Sequence, residues 1–422
     1  MKKFFVILFT FVFLISLESI AQQADIVIKG GHLIDPKNNI DTEMDIAIKD
    51  GKVFMVSKNI DGSTAKQIVD AKGMYITPGL IDLHVHVFFG TEQDRYLSNG
   101  LSAVTPDGFT FRVGVTTVVD AGGAGWKSFP TFKKNVIDNS QTRIFALLNI
   151  VGEGMRGGAY EQNINDMDSK MTAYVANQYK DYVVGFKVAH YIGPEWTPVD
   201  RGVEAGKLTN MPVMIDFGGN YPAKSIEELF FKHLRPGDIF THAISKLRPG
   251  EIGSNYERES IVDETTNKVK AFVWEAQKRG IIFDVGYGGA SFAYSQAIPA
   301  LKEGFFPNTI STDLHTGSMN TSMKDMLSVM SKFMHLGMDL KKVIEASTWK
   351  PAQVIHHQEL GHLSVGAIAD IAILSIREGD FGFYDKTGFK VSAKKKFECE
   401  LTLKGGKVVY DLNGISTPAY TK

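Results

Sequence analysis

Both ends of the chain alternate apolar and polar residues with the two-residue period of half-buried strands. Residues 25–35 and 44–53 do so near the start, and 369–374 and 401–410 near the end. Lys29-Gly30-Gly31, Asp50-Gly51 and Lys404-Gly405-Gly406 punctuate these runs as turns. The two ends therefore predict one small β-sandwich, built from residues 22–75 and 361–422. Between them, short apolar runs of strand length alternate with stretches whose apolar positions fall at helical spacing, as in 226–234 and 266–276. Residues 339–352 read as the last helices. Strand–helix alternation favours a parallel sheet and about eight repeats favour its closure, so residues 76–360 predict an α/β fold, a (β/α)8 TIM barrel.

Residues 1–21 follow a different rule. Lys2-Lys3 precede an apolar stretch over residues 4–17, and Ser19-Ile20-Ala21 offers small residues for cleavage after Ala21, the form of a secretory signal peptide. The stretch is short for a membrane span, and no cysteine lies near the cut to carry a lipid. The expected location is periplasmic or extracellular, with no membrane attachment after cleavage. Cys399 is the only cysteine, so no intramolecular disulfide can form there.

Charge changes the picture by exclusion. Basic residues number 46 against 47 acidic ones, which gives no electrostatic case for a nucleic acid or a membrane surface as partner. The expected partner is a small-molecule substrate, and assembly into a homo-oligomer stays open. A hydrophobic content of 44% with 41 glycines suits buried strands joined by tight turns.

The run 75–86 ends in His84-Val85-His86. Alternate side chains of an extended segment share a face, so both imidazoles point the same way. Two neutral imidazoles make half a metal site, although a pair like this also occurs by chance. Four later β-runs end in metal-competent groups: 183–188 at Lys187, 211–216 at Asp216, 238–242 at His242 and 309–313 at Asp313. The carboxyl ends of barrel strands form an open mouth, so these residues together with His84 and His86 predict one site. A lysine closing an apolar strand is itself unusual, because burying an unpaired ammonium is costly.

Residues 78–86, 185–188, 283–286 and 310–315 resemble the amidohydrolase superfamily, and within it the dihydroorotase-like branch of metal-dependent deacetylases. The resemblance spans nearly everything after the leader. It implies a terminal β-domain bracing a barrel, and a carbamate on Lys187 bridging two divalent metal ions, zinc by family habit. It further implies that His84, His86 and Asp313 hold one ion, and His242 and a strand-five histidine the other.

This chain carries Asp216 at the strand-five position instead. An extra carboxylate lowers the net positive charge of the centre and shifts preference toward harder ions such as manganese or iron. Asp216 is read as a ligand, against two other readings: an acid that orients a ligand, or the sign of a lost second metal position. Tyr287 is a second departure, standing where relatives often have histidine.

Metal-polarised water would attack an amide carbonyl, while Asp313 takes its proton and passes it to the leaving nitrogen. Tyr287 or the backbone amides of residues 286–289 would help hold the oxyanion. Arg156, on the glycine-rich stretch after the third strand, is the expected grip for a substrate carboxylate, with Lys246 and Arg248 as rivals. His315 is expected to donate behind the ligands and, with Arg156 and Tyr287, to line the substrate-binding part of the site. His190, His233, His335, His356, His357 and His362 are read as structural or solvated. The expected activity is an exported hydrolase that cleaves the amide or ester bond of a small N-acyl, amino-acid-like substrate. Two alternatives are a cyclic amidohydrolase of the dihydroorotase or hydantoinase kind, and a metal-free barrel that serves as a binding or scaffold protein.

Overall fold

The computed structural model describes residues 24–90, 102–216, 220, 223–246 and 257–420. The expected leader and Arg248 lie outside the described residues. Seven parallel strands pair in chain order: β1 (Leu80–Val85), β2 (Val115–Gly125), β3 (Arg143–Asn149), β4 (Val183–Ala189), β5 (Val213–Asp216), β6 (Ile239–Phe240) and β7 (Ile282–Phe283). The segment 309–314 takes the eighth place without forming a regular strand. Isolated parallel bridges join Thr309 to Asp284 beyond β7, and Leu314 to Val85 of β1, so the sheet curls round to meet its first strand.

Strands covered on both faces need near-continuous burial, and β1, β2 and β4 are buried at every residue. One apolar cluster takes a side chain from each of the seven strands, including Leu83, Ala121, Leu147, Val184 and Met214, and is closed by Ala352 and Val354 of the helix Trp349–Val354. It forms the floor under the site, because the Met214 Sδ lies 3.5 Å from the Lys187 Nζ.

Two helices differ from their sequence patterns. Over 226–234 a single α-turn, Ile226–Glu228, opened by Ser225 accepting the Glu228 N–H, widens into a π-turn at Leu229–His233. In 266–276 the helix begins only at Ala271 and runs to Arg279. The Asp263 carboxylate accepts the N–H groups of Thr265 and Thr266, and Asn267 takes a φ of +54°. This makes a turn between the short strands Val262–Asp263 and Lys268–Val269. Side-chain capping of the local backbone overrides the helical spacing there.

The chain ends form one eight-stranded mixed sheet, where the sequence predicts two stacked ones. Ile26–Asp35 pairs with Ile40–Lys49, Gln67–Asp70 and Tyr75–Pro78, and Tyr75–Pro78 pairs in turn with Ile371–Tyr384 from the other end. Alternation tells which face of a strand is buried but not which strands share a sheet. Tyr75–Pro78 thus stays with the terminal sheet, and the passage into the barrel falls at Gly79 rather than at residue 76. Ile28, Leu33, Ile46, Ile76, Ile373 and Leu401 make this sheet's own core.

Candidate metal centre

The candidate ligands gather at one rim of the barrel because each follows the same rule of position. His84 lies in β1, Lys187 in β4, and Asp216 is the last residue of β5. His86, His242 and Asp313 come just after β1, β6 and the Thr309 bridge. All six are buried.

Two sets of contacts adjoin. In the first, the His86 Nε2 lies 3.0 Å and the His84 Nε2 3.6 Å from the Asp313 Oδ1, and the Lys187 Nζ lies 3.2 Å from the His84 Nε2. The ligand atoms of His84, His86 and Asp313 all fall within 4.8 Å of one another. In the second, the Asp216 Oδ2 meets the His242 Nε2 at 3.0 Å and the His190 Nε2 at 3.5 Å. The rings of His84 and His242 are 5.2 Å apart, so the sets share a wall.

Donor atoms bound to one tetrahedral ion at ~2.0–2.2 Å stand roughly 3.3–3.6 Å from each other, close to the separations in both sets. The tautomers agree with this. Thr241 gives its hydroxyl hydrogen to Asp284 at 2.7 Å, so its oxygen accepts from the His84 Nδ1 at 2.9 Å. The His242 Nδ1 donates to the Gly286 carbonyl at 2.5 Å, since a carbonyl can only accept. Each ring is thereby left with its Nε2 lone pair facing a carboxylate. Lone pair against lone pair is stable only with a proton or a metal cation between them, and the residues present fit a divalent cation.

Electrostatics supports the same donor set. Burial, reinforced by the nearby Lys187 charge, pushes the His84 imidazole down to about 3, so it is neutral near pH 7. Burial works to raise the Asp313 carboxyl, but His84, His86 and His315 more than reverse it and hold it ionised. Burial likewise opposes ionisation of Asp216, and His242, His190 and Lys187 overcome it. Burial lowers the Lys187 ammonium. Among the described residues no carboxylate oxygen lies within 4.0 Å of its nitrogen.

Glycines 286 and 288 make the close approach between loop and ligands feasible. Gly286, at a φ of +45°, would place a Cβ 2.3 Å from the Thr241 Oγ1 and 2.8 Å from the His242 Nδ1, and Gly288, at +58°, one 2.5 Å from the Asp313 Oδ2.

The remaining predicted residues divide. His315 reaches the site's edge: its Nε2 is 3.9 Å from the Asp313 Oδ2, and its Nδ1 accepts the Gly317 N–H at 3.0 Å, which leaves the Nε2 as the donor. Arg156 pairs with Glu153 at 3.8 Å and lies over the Tyr160 ring, while Lys246 pairs with Glu264 at 3.2 Å. Tyr287 does not turn into the site. Its buried hydroxyl bonds the Lys332 Nζ at 2.6 Å and the Tyr384 carbonyl at 3.2 Å, and its ring stacks on Phe292. Three of the four expected oxyanion amides are also engaged: Gly286 N–H donates to the Ser311 Oγ, Tyr287 N–H to the Ser311 carbonyl and Gly288 N–H to the Thr312 carbonyl.

Several participants escape a reading of sequence alone. Asp284 collects the hydroxyls of Thr241, Thr309 and Ser311 at 2.6 to 2.8 Å and so fixes the His84 ring. Arg258 is buried, with its Nη1 3.7 Å from the Asp216 Oδ1. His190, read as structural or solvated, faces Asp216 instead. Its place directly after a β-run was a signal, the same one that marks His242.

A model of the Amidohydrolase family matches residues 294–409. A deacetylase of Brucella anthropi is 33% identical over 350 residues, 81% of each chain. Among solved structures, an adenine deaminase superposes with a TM-score of 0.80 at 28% identity, covering 92% of this chain and 100% of that one. A dihydroorotase does so at 0.76 and 30%, covering 92% and 99%. Sequence likeness over most of both chains, on a curled parallel sheet with histidines and carboxylates at its rim, places this chain in the amidohydrolase superfamily.

Proposed function

We propose that this protein is an exported metal-dependent hydrolase that cleaves the amide bond, or an ester bond, of a small N-acylated, amino-acid-like acid. That it is a hydrolase of carbon–nitrogen bonds follows from its family and from relatives named deacetylase. The observation that carries the reading is the convergence of His84, His86 and Asp313 beside Lys187, Asp216 and His242. His84, His86 and Asp313 would hold one divalent ion, His242 and Asp216 a second, and a carbamate on Lys187 would bridge them. Zinc is the first expectation; manganese or iron suits the added carboxylate. Such ions, when bound, polarise a carbonyl and make water more acidic.

The chain's own groups do the rest. Asp313, ionised and held beside two imidazoles, accepts the proton of the attacking water and returns it to the departing nitrogen. His315 turns its Nε2 toward the same carboxylate from 3.9 Å, at the edge of the site. Lys187, with no carboxylate oxygen within 4.0 Å among the described residues and with burial favouring its neutral amine, is set to take up carbon dioxide as a carbamate. Arg156 is the proposed grip for the substrate's acid group. Export rests on the leader-like residues 1–21.

Release of free amine from N-acetyl and N-formyl amino acids of both hands, assayed beside hydantoins and dihydroorotate, tests the substrate class. Turnover of an open-chain N-acyl acid is expected. Turnover of ring amides alone would replace the reading with a cyclic amidohydrolase, to which the similarity to a dihydroorotase structure lends support.

A further inference from the structure

We propose that His190 is a metal ligand of the second position, supplying the imidazole that Asp216 displaced from strand five, and that Glu161 orients it. The inference rests on the metal-hydrolase reading above and goes beyond it, since it names which side chain restores nitrogen ligation to a set left with a single imidazole.

Position carries the first part. His190 follows β4 directly, and its N–H donates to the Asp216 carbonyl at 3.2 Å, so the pairing of β4 with β5 sets the two residues side by side. Its carbonyl is held by the Gln162 Nε2 at 2.8 Å. Its φ of +55° matches those of His242 at +56° and Asp313 at +51°. Three metal-competent residues at three strand ends thus share a backbone conformation that non-glycine residues adopt rarely and at a cost.

The ring carries the second part. The Glu161 Oε2 takes the His190 Nδ1–H at 2.7 Å, leaving the Nε2 lone pair to face the Asp216 Oδ2 at 3.5 Å. A carboxylate fixing one nitrogen of a ligating imidazole is the usual support of such a ligand. Comparison within the molecule sharpens the point. His233 and His357 also bond carboxylates, but those of Asp200 and Glu359 are 58% and 57% exposed, whereas Glu161 is 1% exposed. Burying a carboxylate merely to steady a surface histidine is poor value in free energy. Glu161 is otherwise bonded by the Gly157 N–H at 2.7 Å. Meanwhile Arg258 approaches the other oxygen of Asp216, Oδ1, at 3.7 Å.

The test measures metal directly. Metal-free full-length protein is titrated with cobalt(II), and bound cobalt is counted and followed by its visible absorption, for wild type, H190A and E161Q. The expected result is two equivalents in wild type, one tight equivalent in H190A with a changed spectrum for any second ion, and second-site affinity lowered roughly ten- to hundredfold in E161Q. Two equivalents in H190A with wild-type affinity and spectrum overturn the proposal alone. A wild type that takes one equivalent also overturns it, with Asp216 then serving Arg258 rather than a metal. A wild type that takes none sinks the metal-hydrolase reading together with it. Should H190A fail to fold by circular dichroism, E161Q decides: unchanged second-site affinity overturns the assignment.

Discussion

The two halves of the centre are built to different standards. His84, His86 and Asp313 form a closed set, with ligand atoms all within 4.8 Å and a ring fixed by Thr241 and Asp284. The half around Asp216 has a partly exposed member, His190 at 38%, and its two imidazole contacts run through one carboxylate oxygen. A closed, buried set binds whatever cation fits and tolerates little change. An open set accepts replacement of one ligand type by another, provided that a neighbouring strand end supplies what was lost. On the proposed ligation, the departure at strand five falls on the half that can absorb it.

The largest effect should come from the closed half. Asp313→Asn removes the proton carrier and is expected to lower kcat by about two to four orders of magnitude with the fold intact by circular dichroism. A loss smaller than tenfold would mean that Asp313 carries no proton. Gly286→Ala tests the shared wall, because its Cβ would press on both Thr241 and His242. Both metal positions should weaken together in metal analysis, and loss confined to one of them would show that the halves are not mechanically joined there.

Asp216→His is aimed at the difference itself. With an imidazole restored at strand five, metal preference should move toward zinc with activity retained or raised, and adding H190A to that variant should cost less second-site affinity than H190A does in wild type. Unchanged metal content and preference would remove Asp216 from the ligand set. Thr241→Val frees the His84 ring, and a drop of roughly ten- to hundredfold in metal affinity is expected in the closed half only. Equal weakening of both halves would count against the assigned division.

The smallest effect lies outside both halves, where Tyr287 turned. Burial, with the charge of Lys324, pushes the Lys332 ammonium down to about 7 from its ordinary 10.5. Below pH 7 the folded and unfolded chains both hold this proton, and the cost of the buried charge is felt in full. As pH rises from 7 toward 10.5 the folded chain sheds the proton first, so stability should increase by on the order of 1.4 kcal/mol per unit from this group. In Lys332→Met that rise should flatten while metal content stays unchanged. Parallel melting-temperature profiles of variant and wild type between pH 7 and 9 would show that the ammonium is not buried as described.

Much of this was legible before any tertiary contact was known. The change of period from two to helical spacing separated barrel from terminal domain, because burial on one face of a strand or helix leaves its mark on neighbouring residues. The strand-end rule singled out His84, His86, Lys187, Asp216, His242 and Asp313, which the fold buries side by side. Local order also determined that His84 and His86 share a face, since an extended backbone permits nothing else. What failed did so for non-local reasons. Tyr287 was expected in the site, but its partners Lys332 and Tyr384 come from 45 and 97 residues away. His190 was set aside, and only the pairing of β4 with β5 and the return of Glu161 reveal where its ring points. The sheet shared by the chain ends likewise depends on the pairing of Tyr75–Pro78 with Ile371–Tyr384. Residue type and period are properties of a short stretch of chain, so the sequence determined by itself which groups could ligate and at which strand ends they stand. Partnership is a property of distance, which loop closure over tens to hundreds of residues decides, and so only the tertiary structure determined which of those groups meet.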